Sequence, residues 1–240
     1  MSNKRIKAMI LAAGLGTRLR PFTDEHPKAL FETEGATLLE HSLRHLRLHG
    51  ISEVIINVHH FPAQILRFLE ENGNFGMSVA VSDETDQLLE TGGGVKKAEW
   101  FLSGCDAFVV RNVDVLTTLD LSAMIRVHRA TGPLATLAVR KRDTARYFLF
   151  DDKMRLNGWI NKKTGEQRLH RIKKRLTPFA FSGIQVMSPE IFPLMTETGK
   201  FSLTNLYVRL CEDHLIQGYE DKSPLWKDIG RPDQASDQKR

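Results

Sequence analysis

The sequence predicts an α/β protein: a Rossmann-like, mostly parallel mixed sheet flanked by helices on both faces, with a β-rich insertion in its second half. Three observations predict it. Short apolar runs alternate with stretches of helical periodicity five times over the first 140 residues, and strands separated by helices pair in parallel. A glycine loop follows the first apolar run, at the sheet edge where such folds bind ligands. Beyond residue 141 the pattern changes to closely spaced runs with polar turns, which reads as hairpins.

Each element has its own signal. Residues 4–13 end in the apolar run "AMILAA" and form a buried strand. In residues 37–49, "TLLEHSLRHLRLH", Leu39, Leu43 and Leu46 recur at helical spacing and Gly50 stops the helix. "EVIINV" (53–58) is the second strand. Residues 62–72 form a helix with Pro62 at its start and Gly73 past its end. "MSVAVS" (77–82) is the third strand, 95–102 a short helix behind the segment "TGGG", and "AFVVRNVD" (107–114) the fourth strand. A helix over 121–131 and a strand over 134–141 complete the alternation. The stretch 145–188 reads as strands on the same sheet, followed by helices over 189–196 and 203–217. These elements suit one domain, residues 1–240. It divides into a first part (1–140), a second part (141–230) and a polar tail (231–240).

Composition narrows the function. The 240 residues are 41% hydrophobic and 26% charged, the balance of a soluble globular protein. No apolar run reaches the roughly 18 residues that span a bilayer. The apolar run after the basic N-terminus is too short for a signal peptide and leads into the glycine loop, so a cytoplasmic protein without membrane contact is expected. Cys105 and Cys211 lack motif spacing and read as free thiols. A net charge of +5 suits an anionic partner, nucleic acid or a phosphorylated small molecule. The basic run "RIKKR" (171–175) has no interleaved aromatics and no nucleic-acid module around it, so a solvated hairpin is expected and nucleic acid is not. His59-His60 lacks a third ligand at a recognisable spacing, and "EDH" (212–214) reads as a solvated helix face.

The glycine loop carries the chemistry. Gly14 and Gly16 follow the first strand, but the third glycine of the dinucleotide fingerprint would fall on Leu19. The acidic residue expected after the second strand is replaced by Asn57 and Val58. The Walker pattern also fails. A phosphate cradle of another kind fits: glycines let N–H groups turn inward, Arg18 offers a planar fork and Lys28 a mobile point charge. A tight turn with solvated cations is the other reading of the glycines.

The longer pattern "LAAGLGTRLRPFTDEHPK" resembles the signature of the sugar-1-phosphate nucleotidyltransferases. Further segments resemble that family in order and spacing: "LETGGG" (89–94), "RNVDV" (111–115), "ARYFLFD" (145–151), "FSGI" (181–184) and "WKDIG" (226–230). The resemblance implies a glycosyltransferase-A-like nucleotidyltransferase fold. It also implies nucleotidyl transfer from an NTP to a sugar-1-phosphate, with release of pyrophosphate. Arg18 and Lys28 would be catalytic, facing the phosphates. Leu11, Ala12, Ala13, Gly14, Gly16, Thr17, Glu90, Thr91 and Gly92 would bind the nucleotide. Asn112, Arg146, Ser182 and Gly183 would bind the sugar phosphate. Asp114 and Asp228 would hold one Mg²⁺. Arg20 falls on no family contact. Val113 departs from the pattern by standing where the family usually has glycine. "LETGGG", the length and the compact second part look most like the N-acetylmuramate-1-phosphate uridylyltransferases, which act in cell-wall recycling. Mannose-1-phosphate guanylyltransferases come next and a phosphocholine cytidylyltransferase third. A nucleotide-sugar sensor, motivated by Val113, is the reading from another class. The sequence leaves base, sugar and oligomeric state open.

Overall fold

The computed structural model describes residues 5–170 and 175–230. Strand β1 (Ile6–Leu11) buries Ala8, Met9 and Ile10 completely, as a strand covered on both faces must. It lies between β2 (Glu53–Val58) and β4 (Ala107–Asn112), and β2 pairs with β3 (Ser78–Asp83). All three pairings are parallel. Helix α1 (Leu38–Leu48) is capped by Thr37 Oγ1, which accepts from the Glu40 N–H at 3.1 Å. Helix α2 (Pro62–Glu71) starts on its proline. Then come α3 (Glu90–Lys97), α4 (Glu99–Leu102) and α5 (Leu121–Thr131), the last capped by Asp120 and ended by Gly132 at φ +60°. Two apolar cores result. One takes Leu39, Leu43, Ile65 and Met124 from α1, α2 and α5; the other takes Val95, Leu102 and Leu206 from α3, α4 and a later helix. The sheet is therefore covered on both faces.

The second half extends the same sheet. Strands β5 (Ala135–Arg140), β6 (Arg146–Phe150), β7 (Leu156–Asn161), β8 (Gln167–Leu169) and β9 (Thr177–Met187) are followed by α6 (Leu203–Leu210) and β10 (Ile216–Glu220). Strand β9 is the junction: it pairs antiparallel with β4, with β5 and with β6. The order β8-β7-β6-β9-β4-β1-β2-β3 thus runs unbroken, with β5 and β10 joined through β9.

Three elements differ from the sequence reading. The helix expected over 203–217 ends at Leu210, and the chain turns back as β10, parallel to β5. Leu203, Leu206, Tyr207 and Leu210 sustain the helical period, whereas Ile216 and Gly218 alternate as buried strand positions. The helix expected from residue 95 begins at Glu90, because the three glycines lie inside it. Residues 189–196 form a tighter 3₁₀ segment, Pro189–Leu194, in which Pro193 removes a backbone donor. Residues 171–174 of the basic run 171–175, the tail 231–240 and the start of the first strand at residue 4 lie outside the described residues. Cys105 and Cys211 are not joined in a disulfide. No helix among the described residues is long and apolar enough to cross a membrane.

Candidate active site

The carboxyl ends of β1, β2 and β4 open into a cleft of about 350 Å³. Leu11, Ala13 and Gly14 line it from β1 and the glycine loop, Asn112, Val113 and Asp114 from the end of β4, and Glu90 and Thr91 from the start of α3. Lys28 enters from the side. All of these but Val113 were expected site residues, so eight of those share one cavity. Asn57, Leu88 and Ser202 also line it and were not anticipated as site residues.

The glycine loop is held from below. Asn57, at the end of β2, accepts through Oδ1 from the N–H of Ala12 at 2.7 Å and of Ala13 at 3.4 Å. Its Nδ2 donates to Glu84 Oε1 at 2.8 Å, and Glu84 Oε2 accepts from the Leu89 N–H at 3.0 Å. Glu84 is 1% exposed. This buried chain ties the glycine loop to the segment that opens α3, and a buried carboxylate persists only when so bonded. The signal for Asn57 was present: a polar residue closing an otherwise apolar strand. Gly16 adopts φ +62°, and a Cβ there would fall 2.8 Å from Lys28 Cβ. Its carbonyl accepts from the Leu19 N–H and from Thr23 Oγ1. The loop thus packs on the stem of Lys28, while a Cβ on Gly14 would meet nothing within 4 Å.

The two aspartates meet through a short antiparallel ladder. Val115–Thr117 pairs with Trp226–Asp228, which sets Asp228 opposite Val115, and the Ile229 N–H donates to the Asp114 carbonyl at 3.0 Å. Lys28 Nζ is ion-paired with Asp114. A Cβ on Gly230 would fall 2.6 Å from Lys28 Nζ, 3.0 Å from Asp114 Oδ2 and 3.2 Å from Asp228 Oδ1. One ammonium and two carboxylates therefore surround a single glycine. Val113 takes an ordinary backbone conformation, with its side chain in the apolar core and its N–H on the Leu11 carbonyl. The departure from glycine introduces no left-handed strain.

Thr17 and Arg18 lie exposed on a 3₁₀ turn (Thr17–Leu19) after the loop. Arg20 binds Asp24 at 3.0 Å on the surface. On the other side, Gly183 at φ +82° brings β9 close to Asn112, whose Nδ2 would lie 3.3 Å from a Cβ there. Ser182 Oγ is buried without a hydrogen-bond partner, and its carbonyl accepts from Trp226 Nε1 at 2.9 Å. Arg146 is exposed at the start of β6 and does not line the cleft. Gly92 packs against the segment before α6. Its N–H donates to the Phe201 carbonyl at 2.8 Å, and a Cβ there would fall 2.4 Å from the Phe201 ring. Gly92 is smallness for packing, and its N–H is not open to a base. His59 Nδ1 contacts the Glu84 carbonyl, and the His60 ring lies tilted against Phe61.

Comparison with known proteins agrees with this geometry. The nucleotidyl transferase family profile matches residues 7–239. An N-acetylmuramate alpha-1-phosphate uridylyltransferase from Caulobacter vibrioides is 33% identical over 239 residues, covering 94% of this chain and 92% of its own length. A UTP–glucose-1-phosphate uridylyltransferase from Synechocystis is 30% identical over 241 residues, covering 94% of this chain and 60% of its own length. The crystal structure of HddC from Yersinia pseudotuberculosis complexed with GMP-PN superposes with a TM-score of 0.77 at 22% identity, covering 95% of each chain. With the profile spanning almost the whole chain and the Caulobacter relative matched nearly end to end, the chain belongs to the sugar-1-phosphate nucleotidyltransferase family.

Proposed function

We propose that the chain transfers UMP from UTP to N-acetylmuramate-1-phosphate or a related amino-sugar-1-phosphate, releasing pyrophosphate. The observation that carries this reading is the convergence of Lys28, Asp114 and Asp228 on Gly230, at the mouth of a cleft walled by the glycine loop and by Glu90 and Thr91. The sugar phosphate oxygen attacks the α-phosphorus in line and pyrophosphate leaves, so the protein's task is to position two polyanions and to neutralise charge. Gly14 leaves room for a triphosphate to approach the backbone. Arg18 clamps the departing pyrophosphate from the exposed turn, and Lys28 moves from Asp114 to the α-phosphate. Leu11 and Ala13 bound the nucleoside, and Thr91 and Glu90 face it. Asn112, Ser182 and Gly183 form the sugar side.

Asp114 and Asp228 fit a hard divalent cation, Mg²⁺ in this reading: both offer oxygen donors, and they converge on one point. Among the described residues no third acidic or imidazole side chain joins them, so phosphate oxygens and water would complete the shell. When bound, the ion supplies Lewis-acid neutralisation of the phosphates.

The support for uridine and an acetylated amino sugar is the agreement of the Caulobacter relative's name with "LETGGG" and the compact second part. The name of the Synechocystis relative supports UTP alone. Arg146, Lys162 and Lys163 are the cations this reading offers to a sugar-borne carboxylate. Lys162 Nζ sits 4.6 Å over the Tyr147 ring. Mannose-1-phosphate with GTP is the runner-up. A pyrophosphate-release screen crossing four NTPs with about a dozen sugar-1-phosphates tests the reading; buried donors left unpaired by the wrong base give a preference of at least about a hundredfold. A preference for GTP with mannose-1-phosphate overturns the substrate and leaves the reaction class.

A further inference from the structure

Arg111 heads the fully buried side chains by volume, at 1% exposure. Its register neighbours are Ile10 on β1 and Ile184 on β9, so it occupies a position that the sheet otherwise fills with aliphatics. A cation in such a place is costly unless its donors are used. Two sets of them are. Nη2 donates to the Val115 carbonyl at 2.6 Å, and Nη1 to His45 Nδ1 at 2.9 Å, while His45 Nε2 donates to the Leu119 carbonyl at 2.9 Å. Nε has no partner. Burial lowers the guanidinium pKa to about 10, and Asp114 is the charge that opposes this.

The grip falls at a telling place. Val115 follows Asp114 in the chain and faces Asp228 in the ladder. The turn from Asn112 to Val115 has no residue in the left-handed region. Bonds therefore fix it: Val113 N–H to Leu11, Ile229 N–H to Asp114, and Arg111 to Val115. A leucine would fill the same space and leave the Val115 carbonyl without this donor. The structure pays for burying a charge where packing alone asks for none.

We propose that Arg111 is a positioning residue for the aspartate pair. Braced by His45 on α1, it holds the Val115 carbonyl and so the angle at which Asp114 meets Asp228. Its fixed charge also offsets part of the negative charge that two carboxylates and a polyphosphate gather there. This rests on the reading of Asp114 and Asp228 as the cation site.

The test compares Arg111→Met, Arg111→Lys, His45→Leu and Asp114→Asn with the wild type. It measures kcat, the KM for UTP, the melting temperature, and Mn²⁺ binding followed by electron paramagnetic resonance in the presence of a non-reacting UTP analogue. Arg111→Met is expected to lower kcat at least about tenfold with KM changed by less than about threefold, the split left by a lost transition-state interaction. Mn²⁺ binding weakens about tenfold or more, the scale of losses around a metal site when a supporting bond is removed. The melting temperature shifts by only a few degrees, because relief of the buried charge is offset by leaving the Val115 carbonyl and His45 Nδ1 without a donor. Arg111→Lys, which keeps the charge and a donor, recovers part of both. Wild-type kcat or wild-type Mn²⁺ affinity in Arg111→Met overturns the proposal. Should that variant fail to fold, His45→Leu decides: a smaller fall in kcat and in Mn²⁺ affinity supports the brace, and no change in either overturns it. Turnover and Mn²⁺ binding retained in Asp114→Asn would instead overturn the cation site itself.

Discussion

Lys28 is ion-paired with Asp114 across 86 positions of sequence, and Gly230 is packed so closely against both that a methyl group there would fall within 3.0 Å of each. The cation of the glycine-loop segment therefore rests on one of the carboxylates proposed to take a metal. In the proposed reaction, substrate and metal part them, and the ammonium then turns toward phosphate. Gly230→Ala is expected to disturb this exchange, lowering turnover about tenfold or more, since small misplacements in a site are costly. Steady-state kinetics at saturating substrate checks it; unchanged kcat would show that the pair does not need this space.

Removal of either carboxylate is the sharper case. Asp114→Asn and Asp228→Asn should each reduce metal-dependent turnover at least about a hundredfold, with melting temperatures within a few degrees of wild type. Full activity in both variants, or indifference of the wild type to EDTA, would remove the metal from the mechanism.

The three cations near the loop should separate. Arg18→Ala and Lys28→Ala should cost about a hundredfold in rate, as the loss of a charge-assisted clamp does. Arg20→Ala should be nearly silent, because an exposed pair such as Arg20 with Asp24 contributes about 0–1 kcal/mol. Equal losses at all three positions would point to a diffuse field instead of a clamp.

Asn57 supports the loop from beneath. Asn57→Leu leaves the Ala12 N–H and the Glu84 carboxylate short of a partner, at about 1–3 kcal/mol for each buried group. The melting temperature should fall and the KM for nucleotide should rise. Thermal unfolding with and without UTP reads both. A variant as stable as wild type would mean that water replaces the amide.

Two buried histidines predict a dependence on pH. Burial pushes His45 down to about 3 and His128 down to about 4, so the unfolded chain binds more protons than the folded one between those values and about 6.5. The sign follows: stability is full above about 6.5 and is lost as pH falls toward 4. His128, 3% exposed and bonded to Thr136, should account for about 2 kcal/mol of that loss at pH 4.5. In His128→Gln the slope of melting temperature against pH should flatten; an unchanged slope assigns it elsewhere.

Much of this was legible in the residues. Strands β1, β2 and β4 announce themselves because they are buried on both faces and so are short and largely apolar, whereas β3 is a half-exposed strand at the sheet edge. The glycine loop, Lys28, Asp114 and Glu90 sit in one cleft because strand ends gather at one sheet edge. What could not be seen is what depends on distant packing. The glycines of "TGGG" looked like a loop; they lie in a helix, and they are glycines because Phe201, Gly199 and Glu84 leave no room for a Cβ. Strand β10 was hidden because the turn after Leu210 uses neither glycine nor proline. Asn57 was noticed only as the absence of an acid. Its work is visible once Ala12 and Glu84 are seen on either side of it.

Strand β9 gives the molecule its indivisibility. It is drawn from the second half of the chain yet lies hydrogen-bonded along β4 of the first. A fragment ending near residue 140 would carry Arg18, Lys28 and Asp114 and would still expose the backbone edge of β4 to any passing chain, an invitation to aggregate. The nucleotide half is thus no transplantable cassette. Splitting experiments should find that the two pieces recover solubility only when made together, with β9 acting as the seam.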